Sequence, residues 1–162
     1  MSIKRVLVPV DFSAASLQAL EYALKLGRPL KAELVVLFVV EPIYAVTPGD
    51  LYGATAELTA LIDEQRRAGK EQLRKLEARI QKRYPKARCI LQTGRAYQAI
   101  VDSARRLKAD LIVMATHGRT GLSHLLMGSV AEKVVRTAAC PVLTLRGPVV
   151  GQTARRPRAA TK

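Results

Sequence analysis

The sequence has no tryptophan and only two phenylalanines among its 162 residues. Proteins that hold single-stranded nucleic acid commonly stack the bases on aromatic side chains that are interleaved with cations. No such interleaving occurs here, although the formal net charge is +14. Specific nucleic-acid binding is therefore disfavoured, and nucleic acid is not an expected partner.

Cysteines and long apolar runs are also scarce. Cys89 and Cys140 have no CxxC or metal-ligand spacing, so we expect two free thiols buried among apolar neighbours and no metal site. No apolar run approaches the roughly 20 residues of a membrane span, and the N-terminus lacks the core and cleavage site of a signal peptide. We expect a cytoplasmic protein that makes no membrane contact.

The positive charge is unevenly distributed along the chain. Residues 147–162 contain two prolines, four cations and no acid, which is typical of a disordered basic tail. The tail carries four of the excess positive charges and leaves +10 on residues 1–146. We expect residues 1–146 to form one domain, in which many cations lie on one long helical pattern. That pattern is either a solvated face or a surface that attracts anions.

Short apolar runs alternate with helical periodicity along the predicted domain. This alternation predicts an α/β fold in which a five-stranded parallel sheet is doubly wound by four helices, as in Rossmann-like proteins. Such sheets bind ligands outside the carboxyl ends of the strands, where the strand order reverses. The expected strands cover residues 3–10, 34–40, 88–92, 111–114 and 141–145.

Capping residues and glycines define the expected helix limits. Ser13 is expected to cap the first helix, and Gly27 with Pro29 is expected to end it. The second helix is expected over 55–84, with Leu61 among its inward-facing residues. Gly69 weakens the middle of that helix by about 1 kcal/mol relative to alanine and suggests a bend.

A glycine loop follows the fourth predicted strand and leads into a helix. Backbone N–H groups at a helix start, with glycines that allow close approach, form an anion site that suits phosphate. The alternative is an ordinary turn followed by a helix cap. The expected phosphate donors are the backbone N–H groups of Gly118, Gly128, Ser129 and Val130, with the Ser129 hydroxyl.

Other strand ends carry groups that suit the rest of a nucleotide. Asp11 follows Pro9 and Val10 after the first strand, where its carboxylate can accept ribose hydroxyls, cap the first helix, or do both. If the first and fourth strands are neighbours, Asp11 faces the glycine loop. Val39 and Met114 can form an adenine slot or simply belong to the core. His117 and Arg119 can contact phosphate, although His117 is equally plausible as a turn residue.

Three segments resemble the universal stress protein family, the UspA superfamily, within a likeness that covers residues 3–146. They are residues 7–13, residues 109–114, and residues 128–135 leading into 140–142. Nucleotide-binding members carry Gly, two residues, Gly, nine residues, and then Gly followed by Ser or Thr. Gly118 and Gly128-Ser129 match this spacing. The first glycine of the pattern falls on Ala115, whose methyl group occupies space beside the ligand and resists positive φ.

The resemblance implies an adenine nucleotide alpha hydrolase-like fold and a regulatory module of the stress response. The ligand that it implies is ATP, AMP or ADP, bound with or without Mg²⁺. It also implies a homodimer formed through the last strand, residues Pro141, Val142, Leu143, Thr144 and Leu145. A slow ATPase and a nucleotide-free dimeric scaffold are the alternatives. The chain has no GxxxxGK[ST] phosphate loop, and no catalytic residue is assigned.

Overall fold

The computed structural model describes residues 2–41, 56–117 and 127–146. Five strands alternate with four helices in these ranges, as predicted. The tail 147–162 and the loop residues Gly118 and Arg119 lie outside the described residues. The strands are β1 (Arg5–Val10), β2 (Glu33–Val40), β3 (Ala87–Thr93), β4 (Leu111–Ala115) and β5 (Val142–Leu145). The helices are α1 (Ala14–Leu30), α2 (Ala56–Gln81), α3 (Ala96–Arg106) and α4 (Ser129–Thr137).

All five strands are parallel, in the order β3-β2-β1-β4-β5. The chain moves outward from the central strand β1 to β3, and then returns past β1 to form β4 and β5. Strand order therefore reverses between β1 and β4, which are neighbours. The predicted doubly wound fold is confirmed.

The sheet has a separate apolar core on each face. One core joins Val6 and Val8 of β1 to buried residues of α1 and α2. The other joins Leu7 of β1 to Ile100 of α3 and Val134 of α4. Because successive strand residues point to opposite faces and both faces are covered, the central strands are continuously apolar.

The structure corrects the expected end of α1, and it gives packing roles to two helix glycines. This helix continues through Pro29 and ends at Leu30, with Lys31 in the left-handed region at φ 53°. A Cβ on Gly27 would lie 2.5 Å from Leu34 Cδ1, and one on Gly69 would lie 2.6 Å from Phe38 Cε1. Both helices can lie against β2 because these positions have no side chain.

Residues 59–68 of α2 are not buried in the core. Leu73, Leu76 and Ile80 are buried, but Leu61 is 50% exposed. Gly69 is the first buried residue after this stretch. Amphipathic periodicity identified the inner face of the helix, but it could not show where contact with the sheet begins. No helix in the described ranges is long and apolar enough to cross a membrane.

Candidate functional site

The carboxyl end of β1 is not joined to β4 by ladder hydrogen bonds. β1 pairs with β4 only at Val6 and Leu7, whereas its pairing with β2 continues to Val10. The Arg5 carbonyl accepts from the Asp110 N–H, so alternate positions from Arg5 onward direct their backbone groups toward β4. Pro9 is the next such position after Leu7, and it has no N–H to donate. Pro9 thus accounts for the end of this ladder, at the point where strand order reverses.

A strained turn holds Asp11 at this end of β1. Asp11 Oδ1 accepts a hydrogen bond from the Ser13 N–H at 3.0 Å. Ser13 caps α1 as predicted, because its Oγ accepts from the Ser16 N–H at 3.2 Å. Phe12 has φ 63°, which is unusual for a bulky residue, and its ring packs against Phe38 with centroids 4.9 Å apart. Asp11 therefore supports the helix start, while its role toward ribose stays a prediction.

Thr116 organises the end of β4. Its N–H donates to the Leu145 carbonyl at 2.9 Å, and its own carbonyl accepts from the Gly128 N–H at 2.8 Å. The Thr116 Oγ1 donates to the Leu145 carbonyl and lies 2.9 Å from His117 Nδ1. Thr116 thus ties together β4, β5 and the start of α4. Its position between Ala115 and His117 was visible in the sequence, but this role was missed.

The start of α4 presents backbone donors at the same end of the sheet. The Glu132 N–H makes the first intrahelical bond, to the Gly128 carbonyl, so Ser129, Val130 and Ala131 have N–H groups without an intrahelical acceptor. The Gly128 N–H was expected to face phosphate, but it donates to Thr116. A Cβ on Gly128 would lie 2.9 Å from the Thr116 carbonyl oxygen, so glycine is needed there for close packing.

The other predicted contact residues differ in how deeply they are buried. Met114 is buried in the core beneath α3 and α4, whereas Val39 is half-buried beside that core. Ala115 is not among the described residues with positive φ, so its backbone does not require glycine. Pro9 and Val10 are buried, and His117 is half-buried.

A third strand end contributes Glu41, which the sequence did not single out. Its carboxylate accepts from the Ala96 N–H at the start of α3.

Both cysteines are free, as expected, but half-buried rather than buried. Burial raises the pKa of Cys89 to about 12, so this thiol is protonated at neutral pH. Within the ranges that the structure describes, no group of three or more His, Cys, Asp or Glu side chains could hold a metal ion.

Comparisons with known proteins agree with this arrangement. The sequence profile of the universal stress protein family matches residues 2–146. Universal stress protein MJ0531 of Methanocaldococcus jannaschii is 35% identical over 150 residues, which cover 90% of this chain and 83% of that protein.

Two solved structures share the fold over nearly their whole length. Universal stress protein UspA from Lactobacillus plantarum matches with a TM-score of 0.78 and 26% identity, covering 90% of this chain and 99% of that one. A universal stress protein in complex with cAMP matches with a TM-score of 0.65 and 26% identity, covering 91% and 99%. The family profile and the relative from Methanocaldococcus jannaschii both identify this chain as a member of the universal stress protein family.

Proposed function

We propose that this protein binds an adenine nucleotide between the carboxyl ends of β1 and β4 and acts as a regulatory module of the stress response. The observation that carries the proposal is the set of N–H groups on Ser129, Val130 and Ala131 that have no intrahelical acceptor, beside the end of the β1–β4 ladder. Donors at a helix start suit phosphate because the helix dipole is positive there. The relative bound to cAMP supports an adenine ligand.

Each part of the nucleotide has a complementary group at this end of the sheet. The phosphates lie against the start of α4 and the Ser129 hydroxyl, with Gly118, His117 and Arg119 completing the site. The ribose hydroxyls donate to the Asp11 carboxylate, and adenine packs on Val39. The physiological ligand is ATP, AMP or ADP, and any Mg²⁺ enters with the phosphates.

Binding rather than turnover is the favoured activity. The chain lacks a GxxxxGK[ST] phosphate loop, and we assign no catalytic base. Slow ATP hydrolysis and a nucleotide-free scaffold are the competing functions. An ATPase would consume added ATP, whereas a scaffold would carry no bound nucleotide after purification.

The test begins with protein purified without added nucleotide. We expect denaturation to release an adenine nucleotide, and we expect calorimetry on the stripped protein to show ATP binding. Asp11→Asn keeps an acceptor for the Ser13 N–H but removes the charge, so it should weaken ATP binding about tenfold. Asp110→Asn makes the same change at the opposite end of the sheet and should leave affinity unchanged. Absence of binding of ATP, ADP and AMP alike to folded, stripped protein would refute the proposal.

We also propose a homodimer formed through β5. The carbonyls of Pro141 and Leu145 accept from β4, so by alternation Val142 and Thr144 direct their backbone groups to the open edge. Such an edge recruits another strand, and twofold symmetry makes the pairing antiparallel. Thr144→Pro should produce monomers in light scattering, while Thr144→Val, which keeps the N–H, should not. A monomeric parent protein would contradict this.

A further inference from the structure

A groove runs between α2 and β3 on the opposite edge of the sheet from β5. We call it the α2–β3 groove, and its volume of about 600 Å³ lies in the range of ligand sites. Its floor is apolar and consists of Leu73, Cys89 and Leu91. The helix side carries four cations, Arg66, Arg67, Lys70 and Arg74, against two acids, Asp63 and Glu77.

The first half of the β3 edge is already closed by groups from α2 and its end. Ala87 donates its N–H to the Tyr84 carbonyl, and its carbonyl accepts from Gln81 Nε2. Cys89 donates its N–H to Glu77 Oε1 at 2.8 Å. Side-chain and turn atoms thus take the place of a neighbouring strand along these two positions.

The second half of the edge is open. Lys86 and Gly94 direct backbone groups toward β2, so by alternation Leu91 and Thr93 direct theirs away from the sheet. These outward groups of Leu91 and Thr93 make no hydrogen bond to any residue that the structure describes. An extended segment could therefore pair with them as a sixth strand.

Two of the cations lie beside Leu91, where this open half begins. A Cβ on Gly69 would be 3.5 Å from Leu91 Cδ1, and Glu77 bonds Cys89, so Lys70 and Arg74 lie between these two contacts. Arg74 makes an exposed ion pair with Glu71 at 3.2 Å, which an incoming acid can replace. Lys70 makes no ion pair within the described ranges.

We propose that the α2–β3 groove binds an acidic, extended segment of another protein, which adds to β3 at Leu91 and Thr93. Strand addition supplies main-chain hydrogen bonds, and side-chain contacts supply selectivity. Acidic side chains on the α2 side pack their methylene groups on Leu91 and reach Lys70 and Arg74. Apolar side chains on the other side extend the surface beside Ile90. This surface is separate from the proposed nucleotide site.

The test uses a fluorescein-labelled octapeptide of alternating glutamate and valine, blocked at both ends, with a lysine–valine peptide as its charge control. We expect fluorescence anisotropy to show the acidic peptide binding at least about tenfold more tightly than the basic one. Amide resonances of Leu91 and Thr93 should shift on binding. Decanoate is added as a competitor of the peptide. It tests the alternative that the groove binds a lipid-like anion.

Matched variants separate the groove from general charge. Lys70→Glu should weaken peptide binding about fivefold, whereas Lys82→Glu, an equal charge change outside the groove, should have no effect. Thr93→Pro removes one outward N–H and is tolerable at a free edge, and it should also weaken binding. The proposal is wrong if the basic peptide binds equally well, if Lys82→Glu matches Lys70→Glu, or if only decanoate binds.

Discussion

The two ends of the parallel sheet are built in opposite ways. At the amino end, Asp110 Oδ2 accepts from the N–H groups of Lys4 and Arg5 at 2.8 and 2.9 Å. Glu33 joins Arg5 and Arg88 across β1, β2 and β3, with N–O distances of 2.6 and 2.7 Å. At the carboxyl end, the β1–β4 ladder has stopped and the first N–H groups of α4 lack intrahelical acceptors.

Together with the proposed nucleotide site, this difference assigns stability to one end of the sheet and ligand binding to the other. The ion pairs and carboxylate contacts at the amino end hold the strands in register, while the N–H groups without intrahelical acceptors at the carboxyl end are the proposed ligand donors. Changes at the amino end should therefore alter the free energy of unfolding alone. Changes at the carboxyl end should alter nucleotide binding, and they should alter stability only where packing is tight.

Gly128→Val should have the largest effect, because it should disrupt both the packing against Thr116 and the binding of ATP. A side chain there meets the Thr116 carbonyl oxygen, a backbone atom that cannot move freely. We expect the free energy of unfolding to fall by about 2 kcal/mol and ATP binding to be lost. Urea denaturation and calorimetry measure the two effects. Ser129→Ala, an exposed change that keeps every backbone donor, should alter stability by less than about 0.5 kcal/mol. Unchanged stability of Gly128→Val would show that the contact is not tight.

Glu33→Gln should lower stability without touching the ligand. It removes the charge shared by Arg5 and Arg88, and we expect a loss of about 1 kcal/mol in urea denaturation. Glu71→Gln breaks only exposed pairs on α2 and should cost less. ATP affinity should be unchanged in both variants, and a weaker affinity in Glu33→Gln would mean that the two ends are coupled.

Acid should weaken the carboxylate contacts at the amino end of the sheet. The hydrogen bond from Arg88, followed by that from Arg5, lowers the pKa of Glu33, and the N–H groups of Lys4 and Arg5 lower the pKa of Asp110. A lowered carboxyl pKa contributes stability above the unfolded value near about 4 and loses it as the pH falls through the folded value. Stability should therefore decline below about pH 5.

The double variant Glu33→Gln/Asp110→Asn checks the origin of this decline. Its free energy of unfolding should depend less steeply on pH between about 5 and 3 than that of the parent. An equal slope in the two proteins would assign acid sensitivity to other carboxylates.

Pro9→Val should have the smallest effect on the free energy of unfolding. Its effect on amide hydrogen exchange is the diagnostic one. The restored N–H can bond to β4, but the unfolded chain gains entropy, so the two contributions nearly cancel, to within about 0.5 kcal/mol. The amide at position 9 should be protected from hydrogen exchange, and ATP affinity should fall about threefold as the gap between the strands closes. Rapid exchange at position 9 would show that proline is not what ends the ladder.

The sequence predicted the features that depend on local chemistry. Alternating runs and helical patterns identified all five strands and four helices, and Ser13 was recognisable as a cap because its hydroxyl precedes an amphipathic segment. The neighbouring positions of β1 and β4 could be stated only as a condition, because strand order depends on contacts distant in sequence.

The errors arose where a residue's role is set by distant packing. Gly27 was expected to end α1 and Gly69 to weaken the middle of α2, and each also makes room for a side chain of β2. Leu61 fits the inner face of α2 yet is half exposed. The Gly128 N–H looked available for phosphate, although Thr116 already accepts it.

Nucleotide binding at the open end of the sheet is tested most directly by titrating the ¹⁵N-labelled, nucleotide-stripped protein with ATP. We predict that the amide resonances of Asp11, Ser129 and Val130 shift in a saturable manner, while those of Glu33 and Asp110 stay in place. Shifts confined to the amino end of the sheet, or none at millimolar ATP, would contradict the assignment of the site.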